Sequence, residues 1–318
     1  NSVNNENNPW AYNWIDSILL DHWSKVGMSP SPDSDKVTLI RRLSFDVTGL
    51  PPNPEFIKKY LSAKNSEAVY LDIVQELLDS DHYGERMSMY WLDLVRFADT
   101  VGYHGDQDHN ISPYRDYIME AFNQNMPFDQ FTREQLAGDL LDNSSIDQKV
   151  ATGYNRLLQT SHEGGVQPRE YLAIYAADRI RNVSGVWMGA TVGCAQCHDH
   201  KYDPYTARDF YSMSAFFADI DEEQHFRVGT NDLPTKRPPE IPVLSFRDRQ
   251  ELKRLESIKS KTQEIIDEIK SIKARERLTM VTKSVKPRVT RILPRGNWLD
   301  DSGEIVEPAV PTFLGNIK

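Results

Sequence analysis

The chain predicts a mainly α fold: a multi-helix globular domain with long histidine/acid-rich loops, then a long amphipathic helix and a short extended tail. Three observations point there. Apolar residues recur at helical spacing through the first two thirds of the sequence. Hydrophobic residues make up 39% and aromatics 10%, with six Trp and fourteen Tyr, enough to bury a core in 318 residues. The stretches between the periodic segments are rich in Gly, Asn, His and Asp, a composition that suits surface loops.

The first helix is expected over 10–26, where Trp14, Ile15, Ile18, Leu19 and Trp23 share a face and Gly27 marks the stop. A second runs over 33–47 and ends before Gly49, Leu50, Pro51 and Pro52. Ser66 opens a third as a polar cap, ahead of Tyr70, Ile73, Val74, Leu77 and Leu78. Further helices are expected over 85–99, 113–125, 128–140, 147–158, 168–188 and 206–217. Over 247–277, Leu252, Leu255, Ile258, Ile265, Ile266, Ile269 and Ile272 lie among many Lys and Glu. That pattern reads as one long amphipathic helix, or half of a helical hairpin, packed on a partner surface. Alternating β-branched residues over 280–293 suggest a strand, and the Pro-rich end suggests a linker. Four prolines between 234 and 242 mark a boundary. The expected divisions are therefore a helical domain over 1–240, the amphipathic helix over 241–280, and over 281–318 a linker into a following domain or separate chain.

With 37 basic and 47 acidic residues the formal charge is −10, which disfavours nonspecific attraction to nucleic acid or anionic lipid. No apolar run approaches the roughly 18–20 residues of a membrane span. Neither nucleic acid nor a membrane span is expected. The chain opens at Asn1 without an initiator methionine, as a processed or trimmed start does.

The only two cysteines, Cys194 and Cys197, are followed at once by His198, which is the C-x-x-C-H pattern of covalent c-type haem attachment. Each thiol can form a thioether to a haem vinyl group, while the histidine offers its imidazole to the iron. The expectation is one haem c with His198 as proximal ligand, in an electron-transfer or oxidation role beside a redox partner. Covalent haem c is assembled outside the bacterial cytoplasm, so a periplasmic or extracellular location follows. Three other readings stay open. One is a dithiol or disulfide of thioredoxin type, whose usual βαβ flanks are not evident here. Another is zinc on Cys194, Cys197 and one or two histidines, with no second closely spaced ligand pair. The third is a structural pair of free thiols.

The sixth position on the iron would decide between electron carriage and an open catalytic site. His104, His109, His162 and His200 are candidates, with Met188 and Met213 behind them, and His200 is too close to His198 to reach the opposite haem face. Arg179, Arg181 and Lys201 could pair with haem propionates, against which stands an ordinary helix-surface salt bridge to Asp178 or Glu170. Tyr202 and Trp187 are expected to pack on the macrocycle or the core. The same loop histidines, with Asp106, Asp108, Glu163, Asp199 and Asp203, also suit calcium, zinc or non-haem iron. Such a site could hold a polysaccharide substrate beside the haem. Alternatively it could replace haem in a metal-dependent glycan hydrolase or binding module, with Glu163 as base.

The run from Gly193 to Pro204, Gly-Cys-Ala-Gln-Cys-His-Asp-His-Lys-Tyr-Asp-Pro, resembles the planctomycete-type cytochrome-like domain of unknown function. So do 39–52, Tyr83-Gly84-Glu85-Arg86, Trp91-Leu92-Asp93, Arg96-Phe97-Ala98-Asp99, Pro127-Phe128-Asp129, 134–141 and Glu163-Gly164-Gly165. The resemblance extends over residues 12–220. It implies a secreted protein in which a second large domain follows, with 294–318 as the entry to it. It implies no substrate, and its cytochrome label rests on the same C-x-x-C-H.

Overall fold

The computed structural model of the chain describes residues 10–103, 105–161, 166–222, 224–227 and 234–315, and it is mainly helical. Two compact units divide it, Asn1–Leu77 and Leu78–Lys318.

The first unit is built from α1 (Trp14–Lys25), α2 (Lys36–Thr48), α3 (Pro54–Leu61) and α4 (Ser66–Leu78). Side-chain caps set the starts of the first three. Asn13 and Asp16 form a reciprocal capping box on α1, Asp35 accepts from the amides of Val37 and Thr38, and Asn53 caps α3 ahead of a proline at its first position. Ile40, Tyr60, Ile73 and Leu77 form the core. Only Leu20 of α1 is buried, so most of the apolar face expected there is in solvent.

The second unit opens with α5 (Asp81–Leu94), a short antiparallel hairpin of β1 (Thr100–Val101) and β2 (Gln107–Asp108), and α6 (Ser112–Asn123). α5 and α6 pack at Gly84, where a Cβ would stand 2.3 Å from the Met119 carbonyl oxygen. α7 (Phe128–Ala137) and α8 (Ile146–Ala151) each run on into a 3₁₀ turn, and α9 (Pro168–Met188) has the expected bounds. Trp91 anchors the main core. Its ring meets Trp187 and Phe131 edge-on, each at 4.8 Å, and its Nε1 donates to Tyr114 Oη and Gln135 Oε1 at 3.2 and 3.1 Å. Gln135, fully buried, donates in turn to the Phe131 carbonyl, which leaves this polar insertion satisfied.

α10 (Ala207–Ala215) and the four-residue α11 (Gln224–Arg227) follow, then β3 (Glu240–Val243). The long amphipathic helix is instead two helices, α12 (Phe246–Glu256) and α13 (Gln263–Lys273), paired as a hairpin and tied by Lys273 to Glu256 at 2.8 Å. The second strand, β4 (Arg277–Met280), lies just before the stretch expected to form it, and pairs antiparallel with β3 from Glu240 opposite Met280 to Val243 opposite Arg277. The Pro-rich stretch around 240 thus lies inside the second unit. The segment after β4 is extended and seated: Val306 is buried beside Phe210, and Thr312 donates to Asp209. No helix among the described residues is long and apolar enough to cross a membrane.

Candidate functional site

The cysteines sit where α9 gives way to α10. Gly189, left-handed at φ 61°, ends α9, and the chain turns through a 3₁₀ helix over Gly193–Gln196. Cys197 and His198 return their amides to the Cys194 carbonyl at 3.2 and 3.3 Å. Side chains three apart eclipse in such a turn, so Cys194 and Cys197 stand on one side of it. Both are exposed and neither is in a disulfide. Ala195 faces the interior, fully buried with Ile180, Val192, Phe210, Tyr211, Met213 and Val306. Burying that one methyl-bearing residue holds the thiols outward.

Three residues outside the motif fix the turn. Tyr211 Oη donates to the Gln196 carbonyl at 2.9 Å, and burial followed by the neighbouring Cys197 charge pushes its hydroxyl up to about 12, which keeps it a donor. Arg181 donates to Gln196 Oε1. Gly296, at φ +71°, backs onto Cys197 Sγ, and a Cβ there would lie 3.0 Å from the sulfur. Neither Tyr211 nor Gly296 stands out in the sequence. The first belongs to an ordinary apolar helix face, and the second lies about a hundred residues downstream in a Pro-Arg-Gly turn.

His198 is exposed, with Nδ1 at 2.8 Å from the Asp199 carbonyl oxygen. A carbonyl only accepts, so Nδ1 carries the proton and the Nε2 lone pair is free. This is the tautomer an Nε2 ligand needs. Two free thiols on one side of a turn and a neighbouring imidazole with its Nε2 available fit covalent haem attachment.

The other candidates are placed differently. His200 Nδ1 accepts the Asp203 and Tyr202 amides at 2.9 and 3.4 Å, so the only lone pair of its neutral ring closes the loop rather than meeting a ligand. His109 is buried, donating from Nε2 to the Ala98 carbonyl at 2.9 Å and pairing its backbone with Thr235. Burial, and beyond it the Arg237 and Arg156 charges, hold its imidazole below the ordinary range. Met213 packs in the core behind Ala195, and Met188 is partly exposed at the end of α9. His104, His162 and Glu163 lie outside the described residues. Arg179 is no surface residue: it is paired with buried Glu222 and donates to the Asn155 carbonyl at 3.0 Å, while Asp178 is paired with Arg96. Tyr202 packs on neither core nor cavity. It is 83% exposed, with Lys201 over its ring at 5.0 Å. Trp187 is a core residue, as expected. Among the described residues no three His, Cys, Asp or Glu side chains form a group able to hold a metal ion. That includes Cys194 and Cys197 with their neighbouring histidines.

A cavity of about 480 Å³ adjoins the turn, reaching Gln196 and Tyr211 and lined further by α9, α10 and the 288–301 segment. A larger one, about 740 Å³, lies between α5, α6, α8 and the start of α12. Its arginines are consumed in pairs, Arg247 with Asp81, Arg249 with Asp147 and Arg277 with Asp116. Its buried Glu134 accepts from Tyr117, Gln130 and Gln148. The smaller cavity is the one that joins the motif.

No curated protein and no solved structure matches the chain. Residues 14–222, a stretch that holds the cysteine turn and the helices packed beneath it, match PSCyt2, a family described as protein of unknown function (DUF1549), and the chain belongs to that family.

Proposed function

We propose that this protein is an extracytoplasmic c-type haem protein that carries electrons or performs an oxidation for an attached or associated catalytic partner. The observation that supports the reading is the turn itself: two free thiols on one exposed side, with His198 held in the tautomer that leaves Nε2 available. Cys194 and Cys197 would hold the haem through thioether bonds, and His198 would ligate its iron from Nε2. Bound there, haem supplies a one-electron couple at its iron.

The remaining roles belong to the chain. The Asp199 carbonyl, by accepting the Nδ1 proton, fixes the ring orientation of His198 and raises the basicity of Nε2. Tyr211 and Arg181 clamp Gln196, the second of the two residues between the cysteines, from both its backbone and its side chain. The missing Cβ of Gly296 lets the backbone lie against Cys197 without displacing the sulfur.

The test is expression of the full chain in a host that matures c-type cytochromes, with C194S/C197S and H198Q alongside. The expected outcome is a coloured protein whose haem survives denaturation, complete loss of that bond in the double variant, and in H198Q a retained bond with a shifted spectrum. A double variant as coloured as the parent after denaturation would contradict the reading.

A further inference from the structure

The cavity beside the cysteine turn is lined by four arginines, Arg169, Arg179, Arg288 and Arg291, and by one acid, Asp301. Their pairing is incomplete. Arg169 meets Asp301, while Arg179 and Arg288 share the two oxygens of Glu222. Four guanidinium groups thus stand against two carboxylates. Arg291 gives one N–H to the Gly303 carbonyl at 3.1 Å and meets no carboxylate among the described residues. Arg179, only 3% exposed, keeps Nε and Nη1 buried with no acceptor. Those two nitrogens have almost no accessible surface and do not open on the cavity, so the cationic group offered to a ligand is Arg291, beside an excess of guanidinium groups over carboxylates. The rest of the lining is largely apolar and partly aromatic, with Leu172, Ala173, Phe210, Phe217 and Trp298. The volume, about 480 Å³, falls within the usual range of small-molecule sites.

We propose that this cavity binds a carboxylate carried on a planar apolar body. The carboxylate meets Arg291, and the body lies along Phe217 and Trp298. The inference does not depend on thioether attachment at Cys194 and Cys197. Two sources share its chemistry, a free aromatic acid and the propionate edge of a haem, and the experiment separates them.

The probe is 2-naphthoate, titrated calorimetrically into the folded full chain produced without haem, against its uncharged isostere 2-naphthamide. Saturable one-site binding of the acid is expected, roughly tenfold or more tighter than the amide, as loss of a charge-assisted hydrogen bond implies. R291Q should weaken the acid by a similar factor, and A173F should abolish binding by filling the cavity, both with unchanged melting temperatures. Repeating the titration on haem-matured protein assigns the source: exclusion of naphthoate points to the haem's own propionates, continued binding to a free acid, and either supports the site. Equal binding of acid and amide, no binding of the acid, or undiminished binding in folded R291Q and A173F would overturn it.

Discussion

Glu222 is 3% exposed and answers two guanidinium groups, Arg179 and Arg288, on its two oxygens. Removing one partner of a buried ion pair leaves the other charge uncompensated, which typically costs about 3–5 kcal/mol. E222Q is therefore expected to lower the urea midpoint by a corresponding amount, read by far-UV circular dichroism. His109 gives a second single-residue expectation. Arg237, Arg156 and Asp99 face it, and burial outweighs the Ala98 carbonyl in holding its folded value below the ordinary 6.5. Above pH 6.5 the ring is neutral in both states. Below it the unfolded chain takes up the proton first, so the protein loses stability as pH falls from about 6.5 toward the folded value. H109Q, whose side-chain amide can still donate to the Ala98 carbonyl, should flatten that part of the stability–pH curve. At this scale the sequence was legible where the chemistry is local. The cysteine spacing and His198 could both be read from neighbouring positions. It was not legible where the deciding partner is remote: nothing near Arg179 announces Glu222, and nothing near His109 announces Ala98 and Thr235.

Helices followed from periodicity and punctuation. α9 runs from Pro168, a proline that suits a helix start, to Met188 before the left-handed Gly189, and both ends were written in the sequence. α3 was overlooked although Asn53 followed by Pro54 carries the same start signal, because its eight residues offer too short a periodic pattern to register. The break between α12 and α13 also has a chemical cause. Ser257, Ser260 and Thr262 sit in the gap, Thr262 caps α13, and Lys261 Nζ reaches back to the Glu256 and Ile258 carbonyls. A continuous leucine and isoleucine pattern hid this break. The contact between α5 and α6 gives the test at this scale. A methyl group at residue 84 would be driven to 2.3 Å from the Met119 carbonyl oxygen, a backbone atom that moves only with its helix. G84A is expected to destabilise by about 1–3 kcal/mol, the usual cost of overpacking, with the helical circular dichroism of the folded state retained. A neutral G84A would mean that α5 and α6 do not approach as closely as described.

Across the whole molecule, the mainly helical class, the absence of a membrane-length apolar helix among the described residues and the family were legible in composition, pattern and motif. The arginine-lined cavity was not, because Arg169 and Arg179 come from α9 while Arg288 and Arg291 come from the segment after β4, about a hundred residues later. That segment reads as a linker by its prolines and charges. Its placement depends on buried Val306 and on the bonds from Thr312 to Asp209. We propose that the turn at Cys194–Cys197 carries covalent haem. The most direct measurement is denatured intact mass with a pyridine haemochrome spectrum, on protein from its native source or from a host that matures c-type cytochromes. One haem of added mass and a c-type spectrum are predicted, and a colourless protein at the mass of the bare chain would contradict the account.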